Sequence, residues 1–492
     1  MSDVGEVGPP STVVAGDPYA AGEAGGRVIR GSGLRVAGAL AGVLAGAVSA
    51  PLVVRHLGVV DYGRYLTVAS VIFVITALSE GGLANVAVRQ FSTSEPDGQR
   101  SLIANLTGLR IALGVVGGLV AVGFGLLAGY ERILVVGLAL GAVGYLLSAI
   151  QGSYSVVLSG KLRLSSLAGL DVVRSLGTSA LLVALVIAGS GLTGFYLIAS
   201  IVQAAALVLT AVLVRHDVPL RPEFHRDRWR ELFRETALYA LAATLGAIYF
   251  QVALIAMSLL DSGAQTGFYA IAFRIVEILN GIPWLLAGSV LPVLAVAAQS
   301  DPARLRFIAG RVFEGAVIAG GWVAIIIVVG AGFGIEVIAG AKGQPSVGVL
   351  RIMGIGVTAT FLVSSWGFVL LSLRLYRQLV IANLGALLLA ILLSVILIPT
   401  LHARGGAITT AALELTLAGA YVFLLSRRGI VPSARFVASF SLSVSLGLGI
   451  GALLIAVHPV IGVLAGSALY FAVLWMMRAI PSELIDALPW RR

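Results

Sequence analysis

The chain has 492 residues, of which 59% are hydrophobic and 11% charged, and its mean hydropathy of +1.02 excludes a soluble globular protein. The formal net charge of +10 does not indicate nucleic-acid binding, because the basic residues lie in short segments between apolar runs. The absence of cysteine excludes disulfides and thiol chemistry, and the five scattered histidines predict no metal site.

The first predicted element is a polar N-terminal segment. Residues 1–33 are rich in Gly, Pro, Ala and Val, and they lack the basic start and the following apolar run of a signal peptide. We therefore expect a disordered cytoplasmic tail.

Apolar runs of about 20 residues, the length that crosses a bilayer, then recur as far as residue 477. They predict an all-α integral membrane protein with about fourteen transmembrane helices. The predicted helices lie at residues 34–54, 66–88, 102–128, 133–157, 172–189, 193–214, 236–259, 268–298, 308–330, 347–372, 379–398, 405–425, 435–457 and 459–477. Only His458 and Pro459 separate the last two runs, so twelve or thirteen helices are the alternatives.

A repeat divides these helices into two halves. Motifs of the first half recur in the second, pairing Gly63-Arg64-Tyr65 with Gly267-Phe268-Tyr269 in predicted loops, Gly194 with Gly406, and Arg215 with Arg427. Because each half has six helices, an even number, both halves start on the same side of the membrane and the repeats are parallel. We expect six-helix bundles at residues 34–214 and 236–428.

Three further segments complete the predicted organisation. The basic linker at residues 215–235 joins the bundles, either as a cytoplasmic surface helix near anionic lipid or as a regulatory or partner site. An additional helix pair at residues 429–478 and a cytoplasmic tail at residues 479–492 follow.

The distribution of basic residues predicts the topology. With the N-terminus in the cytoplasm, most loop Lys and Arg residues fall on the cytoplasmic side, and the opposite side holds only Arg55, Arg64, Arg132, Lys342 and Arg404. By the positive-inside rule, both termini are expected in the cytoplasm.

The eighth predicted helix carries a polar stripe. Arg274, Glu277 and Asn280 are spaced by three residues and so share one helix face. Ionisable groups at membrane depth cost about 2.5 to 3.5 kcal/mol each on insertion scales, and they persist mainly where they pair or face a water-filled cavity. Pro283 follows, and prolines within a span often mark substrate sites. We expect this stripe to line a cavity and to bind substrate; the alternative is that Arg274 and Glu277 neutralise each other and are structural.

Five other intramembrane groups each have two interpretations. Glu80 either pairs with an arginine of a neighbouring helix or lines the cavity, and Arg110 either snorkels to the lipid headgroups or binds substrate. Asp171 and Arg174 are an i, i+3 pair that would neutralise itself or serve function. Glu414, near the middle of helix 12, is either paired across helices or protonated and able to couple transport to an ion.

Enzyme motifs are absent from the sequence. The chain has no D-x-D, no phosphate-binding G-x-x-x-x-G-K-[ST] and no nucleophile with a matching base. We therefore expect a transporter without catalytic residues and without a cofactor.

Short motifs follow one another in a definite order along both halves. The first half carries Pro51-Leu52, Arg55-His56-Leu57-Gly58, Asp61-Tyr62-Gly63-Arg64-Tyr65, Glu80-Gly81-Gly82-Leu83 and Val88-Arg89. The second half carries Gly267-Phe268-Tyr269, Arg274, Pro283, Leu291-Pro292, and Gly340-Ala341-Lys342 through Leu350-Arg351-Ile352. In order and spacing, residues 34–478 resemble the polysaccharide flippases of the MOP (multidrug/oligosaccharidyl-lipid/polysaccharide) exporter superfamily.

The resemblance implies two bundles around a central cavity that alternates between the two sides of a bacterial cytoplasmic membrane. The implied cargo is a polyprenyl-pyrophosphate-linked glycan, moved to the outer leaflet, and the implied partners are membrane lipids and a glycan polymerase or another envelope-assembly protein. Arg274 matches a basic position of lipid II flippases, and Arg55 matches another at the end of helix 1. Because helix 1 is shorter and plainer than in that subgroup, we expect a different glycan. The extra helix pair would form a groove for the lipid tail.

Two other functions stay open at this point. A cation-coupled drug or small-solute exporter of the same fold would favour an aromatic, acidic cavity, whereas Arg274 and Arg55 suit an anionic headgroup. In a membrane scaffold without transport, the intramembrane charges would be structural.

Overall fold

The computed structural model describes residues 23–80 and 82–480 of the chain, with side chains largely described from residue 41 onward apart from stretches within 231–243 and 282–300. Most of the two predicted tails, residues 1–33 and 479–492, therefore lies outside the described residues. Residues 23–33, which the sequence assigned to the N-terminal tail, belong to the first helix.

Thirteen α-helices and one short 3₁₀ helix make up nearly all of the described chain. They are α1 (Glu23–Glu80), α2 (Leu83–Thr93), α3 (Pro96–Leu127), α4 (Arg132–Gly160), α5 (Leu164–Ile187), α6 (Leu192–Val214), α7 (Arg226–Leu260), α8 (Gly263–Ser300), α9 (Pro302–Ala339), the 3₁₀ helix Ala341–Gly343, α10 (Ser346–Ser372), α11 (Tyr376–Ser426), α12 (Ala434–Leu454) and α13 (Pro459–Met476).

Two of the longest helices are bent at a single residue. In α1 the bend is at Gly58, with φ of 74°, and in α11 it is at His402, with φ of 54°. Because one residue with positive φ turns the chain, no separate loop is needed. Gly63-Arg64-Tyr65, predicted to lie in a loop, is therefore helical, and Gly267-Phe268-Tyr269 likewise lies within α8.

The all-α membrane fold is confirmed. Among the described residues, ten helical stretches are long and apolar enough to cross a membrane, and Thr244–Leu260 is a shorter apolar stretch. α12 and α13 are separate helices joined by a turn at residues 455–458. The count of fourteen crossings stays a prediction.

The helices pack in a similar pattern in both halves of the chain. In the first half α3 packs on α4, α4 on α6, and α5 on α1, while in the second half α9 packs on α10, α10 on α11, and α11 on α7. α12 and α13 pack on each other and on α9. The two halves meet mainly where α1 contacts α7, α8 and α9. The division into two parallel bundles stays a prediction that this packing supports.

The molecule has two ends, the kink end and the linker end. The kink end carries Gly58, His402, and the turns at 128–131, 188–191 and 261–262, and the linker end carries residues 215–225. At the kink end, a hydrophobic core joins the halves, with Tyr62 of α1 packed among side chains of α6, α7 and α8.

The linker packs against the first half. Asp217 accepts hydrogen bonds from Lys161 at 2.5 Å and from Arg163 at 2.8 Å. Burial alone would raise the pKa of the Asp217 carboxyl, but the hydrogen bond and charge of Lys161, together with Arg163, lower it below its ordinary value. Further along, the indole of Trp229 donates to the backbone oxygen of Asn105 at 3.1 Å. The linker is thus attached to α3, α4 and the start of α5.

Candidate functional site

Arg274 and Glu277 form the ion pair that their spacing predicts. Both lie on α8, and Nη1 of Arg274 donates to Oε2 of Glu277 at 2.5 Å. Their side chains are 35% and 30% exposed, so neither is enclosed in the protein core. One turn further along, Asn280 accepts a hydrogen bond from Ser364 of α10 at 3.2 Å. The predicted stripe therefore divides into an accessible ion pair and a polar contact between helices.

A large cavity lies within the first half and reaches Arg274. Its volume is about 1090 Å³, and its wall is built from α1, α4, α5 and α6, with Arg274 as the contribution of the second half. The wall carries many hydroxyl groups and several aromatic rings, including Tyr65, Tyr145 and Phe195. A substrate in this cavity would meet hydroxyls, rings and charge together.

A smaller cavity of about 170 Å³ adjoins the large one. Arg274 lines both cavities, whereas Glu277 lines only the smaller one. Ser70 and Gln251, which also line the smaller cavity, are joined across the two halves by a hydrogen bond of 2.7 Å. Arg274 is therefore placed where the two halves meet.

Contacts between the halves concentrate at the kink end. A Cβ atom placed on Gly63 would lie 2.8 Å from the Cα atom of Gly267, so the helices touch through their backbones. Nearby, the hydroxyl groups of Tyr130 and Ser258 are 2.6 Å apart. The repeated motifs of the two halves thus meet each other directly.

Arg55 lies outside the two cavities, at the surface of the kink end. Its guanidinium donates to the backbone oxygens of Glu336 at 3.1 Å and Val337 at 2.8 Å. These carbonyls belong to the last turn of α9, where a cation is favoured because helix carbonyls are unpaired. In this structure Arg55 caps a helix of the other half and does not join Arg274.

Arg110 and Glu80 form a separate polar group inside the first half. Arg110 is only 2% exposed and donates to the backbone oxygen of Ala149 at 3.3 Å. The missing side chain of Gly152 makes room for the guanidinium, and Glu80 and Tyr145 interact with it electrostatically. Arg110 thus points into the protein, and its snorkelling interpretation does not describe this conformation. Neither Arg110 nor Glu80 lines the two cavities described above.

Glu414 is buried in the core of the second half, with 1% of its surface exposed. The hydroxyl groups of Tyr249 and Thr360 lie beside it without reaching hydrogen-bond geometry, and neither carboxylate oxygen has a partner among the described residues. It lies away from the two cavities. A buried carboxyl without a partner is costly when it is ionised.

Several lining residues were not among the predicted site residues. Asp171 and Arg174 both line the large cavity, and their side chains do not pair with each other. Tyr196 and Gln203 of α6 also line it, and each has a buried oxygen for which the described residues provide no hydrogen-bond partner. Gln203 could have been found from the sequence, since it is the one amide side chain in α6.

The described residues contain no group of three or more His, Asp or Glu side chains that could hold a metal ion. The arrangement instead offers cations, hydroxyls and aromatic rings around an open volume. Such a site can bind an anionic, hydroxyl-rich molecule through charge-assisted hydrogen bonds.

Comparison with known proteins identifies relatives of this fold. Residues 28–297, more than half of the chain, match the polysaccharide biosynthesis protein family. The lipid II flippase MurJ in an inward closed conformation is similar with a TM-score of 0.71 and 11% identity, over 90% of this chain and 99% of MurJ. An inward-facing multidrug resistance MATE family transporter of the MOP superfamily is similar with a TM-score of 0.66 and 14% identity, over 79% of this chain and 94% of the transporter.

A MOP superfamily transporter from Pyrococcus furiosus gives a TM-score of 0.61 and 14% identity, over 82% of this chain and 95% of that one. At such identities the likeness to solved structures shows the fold alone. No curated protein matches the chain.

Proposed function

The chain belongs to the polysaccharide biosynthesis protein family, and from that premise we propose that it moves a polyprenyl-diphosphate-linked oligosaccharide or cell-envelope glycan precursor from the cytoplasmic to the outer leaflet. The observation that carries the proposal is Arg274, a cation placed at the junction of two cavities and between the two halves of a MOP-type fold.

Arg274 is suited to bind phosphate while keeping its partner. Nη1 of Arg274 is bonded to Glu277, whereas Nη2 lies 3.9 Å from where a Cβ of Gly46 would be, and Gly46 lines both cavities. A guanidinium presents five donors in a planar fork, so it can hold a carboxylate on one edge and a phosphate on another. The hydroxyls and rings of the cavity wall would then receive the glycan.

Alternating access would carry the headgroup across the membrane. In this proposal the linker end and both termini face the cytoplasm of a bacterium and the kink end faces outward, as the distribution of basic residues predicts. Because the chain has no native cysteine, Ser262→Cys should react with an impermeant reagent in intact cells and Ser482→Cys should not. The reverse labelling would invert the topology.

The membrane potential would favour export. Moving negative charge out of a negative interior gains about 2.3 kcal/mol per charge per 100 mV, so a headgroup with roughly two charges gains about 4 to 5 kcal/mol. This free energy is larger than the contribution that one titrating carboxyl group would need to make to export. We therefore assign Glu414 a tuning role, in which its protonation shifts the balance between inward and outward states.

One observation favours a second candidate function. The large cavity is lined by the aromatic rings of Tyr65, Phe73, Tyr145, Phe195 and Tyr196 and also by one acidic side chain, as a cavity for cationic drugs would be. A cation-coupled exporter of drugs or small solutes is therefore the alternative, although Arg274 opposes a cationic cargo.

Depletion of the protein in its own cells separates these functions. The proposal predicts that a lipid-linked glycan accumulates on the cytoplasmic leaflet while its synthesis continues. Sensitivity to drugs without such accumulation would favour the exporter. Mislocalised envelope-assembly proteins with normal lipid export would instead indicate a scaffold.

A further inference from the structure

A row of polar side chains on α7 faces the first half. Thr244, Gln251 and Ser258 follow one another at intervals of seven residues, so they lie on one face of the helix. Their levels are about 10.5 Å apart along α7, because an α-helix rises about 1.5 Å per residue. Each of the three makes a hydrogen bond to the first half, and together these bonds form a seam between the halves.

Two bonds of the seam join α7 to α1. The hydroxyl of Thr244 donates to the backbone oxygen of Ala77 at 2.9 Å. The hydroxyl of Ser70 donates to Oε1 of Gln251 at 2.7 Å. Ser70 and Ala77 are themselves seven residues apart, so the two helices match level for level. Since α1 runs from the kink end toward the linker end after Gly58, the Thr244 bond lies nearer the linker end.

The third bond of the seam lies at the kink end. The hydroxyl of Ser258 donates to the backbone oxygen of Ile255 at 2.7 Å. The hydroxyl of Tyr130, 2.6 Å from that of Ser258, is therefore the donor in the bond between them. Tyr130 lies in the turn between α3 and α4. In this structure the seam is thus closed at all three levels.

The middle bond differs from the two outer bonds in its surroundings. Ser70 and Gln251 are 4% and 3% exposed, and both line the smaller cavity together with Arg274. The residues of the two outer bonds line neither of the two cavities described above. The middle bond therefore lies beside the candidate site, halfway along the seam.

A rotation of one half against the other cannot preserve all three bonds. If the rotation is centred on the middle level, that level stays in place and the outer levels move. At about 10.5 Å from the centre, a rotation of about 15°, a size known for allosteric transitions, displaces each outer level by about 2.7 Å. An outer bond on the opening side would lengthen to about 5 Å, which is beyond hydrogen-bond distance.

We propose that the bond between Ser70 and Gln251 is the pivot of alternating access, about which the two outer bonds open in turn. The bond of Tyr130 breaks when the kink end opens, and the bond of Thr244 breaks when the linker end opens. Because the pivot adjoins Arg274, the binding site keeps its place in both open conformations. This inference rests on the alternating access of the proposed function and is independent of the cargo.

Oxidative cross-linking at the kink end tests the pivot in the purified full-length protein in lipid nanodiscs. The reporter is Val60→Cys with Gly263→Cys, because a Cβ on Gly263 would lie 3.2 Å from a methyl group of Val60 and the chain has no native cysteine. Tyr130→Phe should lower the ratio of closed to open kink ends by about 3-fold, and by at most about 20-fold, which is the range for hydrogen bonds between membrane helices. Adding Thr244→Val should recover part of this loss, because it weakens the opposite end of the seam.

Ser70→Ala should behave differently from both outer substitutions. It removes a bond that persists in every conformation, so cross-linking should stay at the level of the reporter protein. The thermal unfolding midpoint should fall instead, because the buried amide oxygen of Gln251 loses its partner. Thr416→Val is the matched control, since the exposed hydroxyl of Thr416 donates within its own helix to the backbone oxygen of Ala412. It should leave cross-linking unchanged.

Two results would overturn the inference. If Ser70→Ala lowers cross-linking as much as Tyr130→Phe does, the middle bond opens together with the kink end and is not a pivot. If neither Tyr130→Phe nor Thr244→Val changes cross-linking, the seam does not separate at its ends. Because the reporter needs no cargo, these results do not depend on whether the protein transports a lipid-linked glycan.

Discussion

Replacing Gly63 with valine tests whether the kink end must close for transport. A Cβ at this position would lie 2.8 Å from both the Cα and N atoms of Gly267. Carbon atoms in favourable contact are about 3.5 to 4.0 Å apart, so the two backbones would have to separate by about 1 Å. The branched valine side chain adds two methyl groups to the same gap.

The cost of this substitution follows from the contact it breaks. Overpacking of a tight contact costs about 1 to 3 kcal/mol, and here the neighbour is backbone that cannot rotate away. The conformation with a closed kink end should lose population by about 5- to 150-fold relative to conformations in which it is open. Transport by alternating access needs both conformations, so the rate should fall by a similar factor.

A disulfide across the kink end measures the closed population. A Cβ at Gly263 would lie 3.2 Å from a methyl group of Val60, which is compatible with the geometry of a disulfide. Since the chain has no cysteine of its own, Val60→Cys with Gly263→Cys gives a clean reporter. Oxidative cross-linking of this pair should be efficient in the otherwise native chain and should drop when Gly63→Val is added.

The matched control is Gly123→Val in α3, where no atom lies within 4 Å of the added Cβ. It shares the change in helix propensity and leaves the contact between the halves intact. Equal cross-linking in the Gly63→Val and Gly123→Val backgrounds, with both proteins folded, would refute the idea that this glycine contact closes the kink end.

Two further substitutions address the charges within the fold. Arg274→Glu or Glu277→Arg alone should lower the thermal unfolding midpoint, because each leaves like charges one turn apart. The double reversal should restore the midpoint without restoring transport. Full transport by the double variant would show that Arg274 acts only through its ion pair with Glu277. Glu414→Gln should leave the midpoint unchanged or higher, because the carboxyl group has no hydrogen-bond partner to lose within the described part of the chain, and it should reduce transport only mildly. A collapse of transport under an imposed potential would make ion coupling primary.

The helical fold was largely predictable because hydrophobicity alone determines it. Runs of about 20 apolar residues have few alternatives to a membrane helix, and most predicted runs correspond to observed helices. The bends were not predictable in this way. Gly58 and His402 each turn the chain with a single backbone conformation, so segments that looked like loops are helical. Hydropathy indicates which segments lie in lipid, but it does not predict the backbone conformation of a single residue within such a segment.

Only the part of the candidate site that is formed by residues close together in the sequence could be predicted. Arg274 and Glu277 pair at a spacing that the sequence shows directly. The same spacing at Asp171 and Arg174 does not produce a pair, because side-chain direction depends on what surrounds each helix. Arg55 finds its partners in the last turn of α9, more than 280 residues away along the chain. Such contacts depend on how the two halves pack together, and this packing cannot be read from any single segment of the sequence.

Translocation by the purified protein in vesicles is a direct test of the proposed export of a lipid-linked glycan. The vesicles would contain a labelled polyprenyl-diphosphate-linked oligosaccharide and an imposed membrane potential without an ion gradient. The wild type should transfer the labelled lipid at a rate that rises with the potential. Arg274→Lys should retain part of this rate, and Arg274→Ala should abolish transfer. As a control, Arg100→Ala, at an exposed arginine, should match the wild type. Transfer by Arg274→Ala at the wild-type rate, or transfer by the wild type that ignores the potential, would contradict the account.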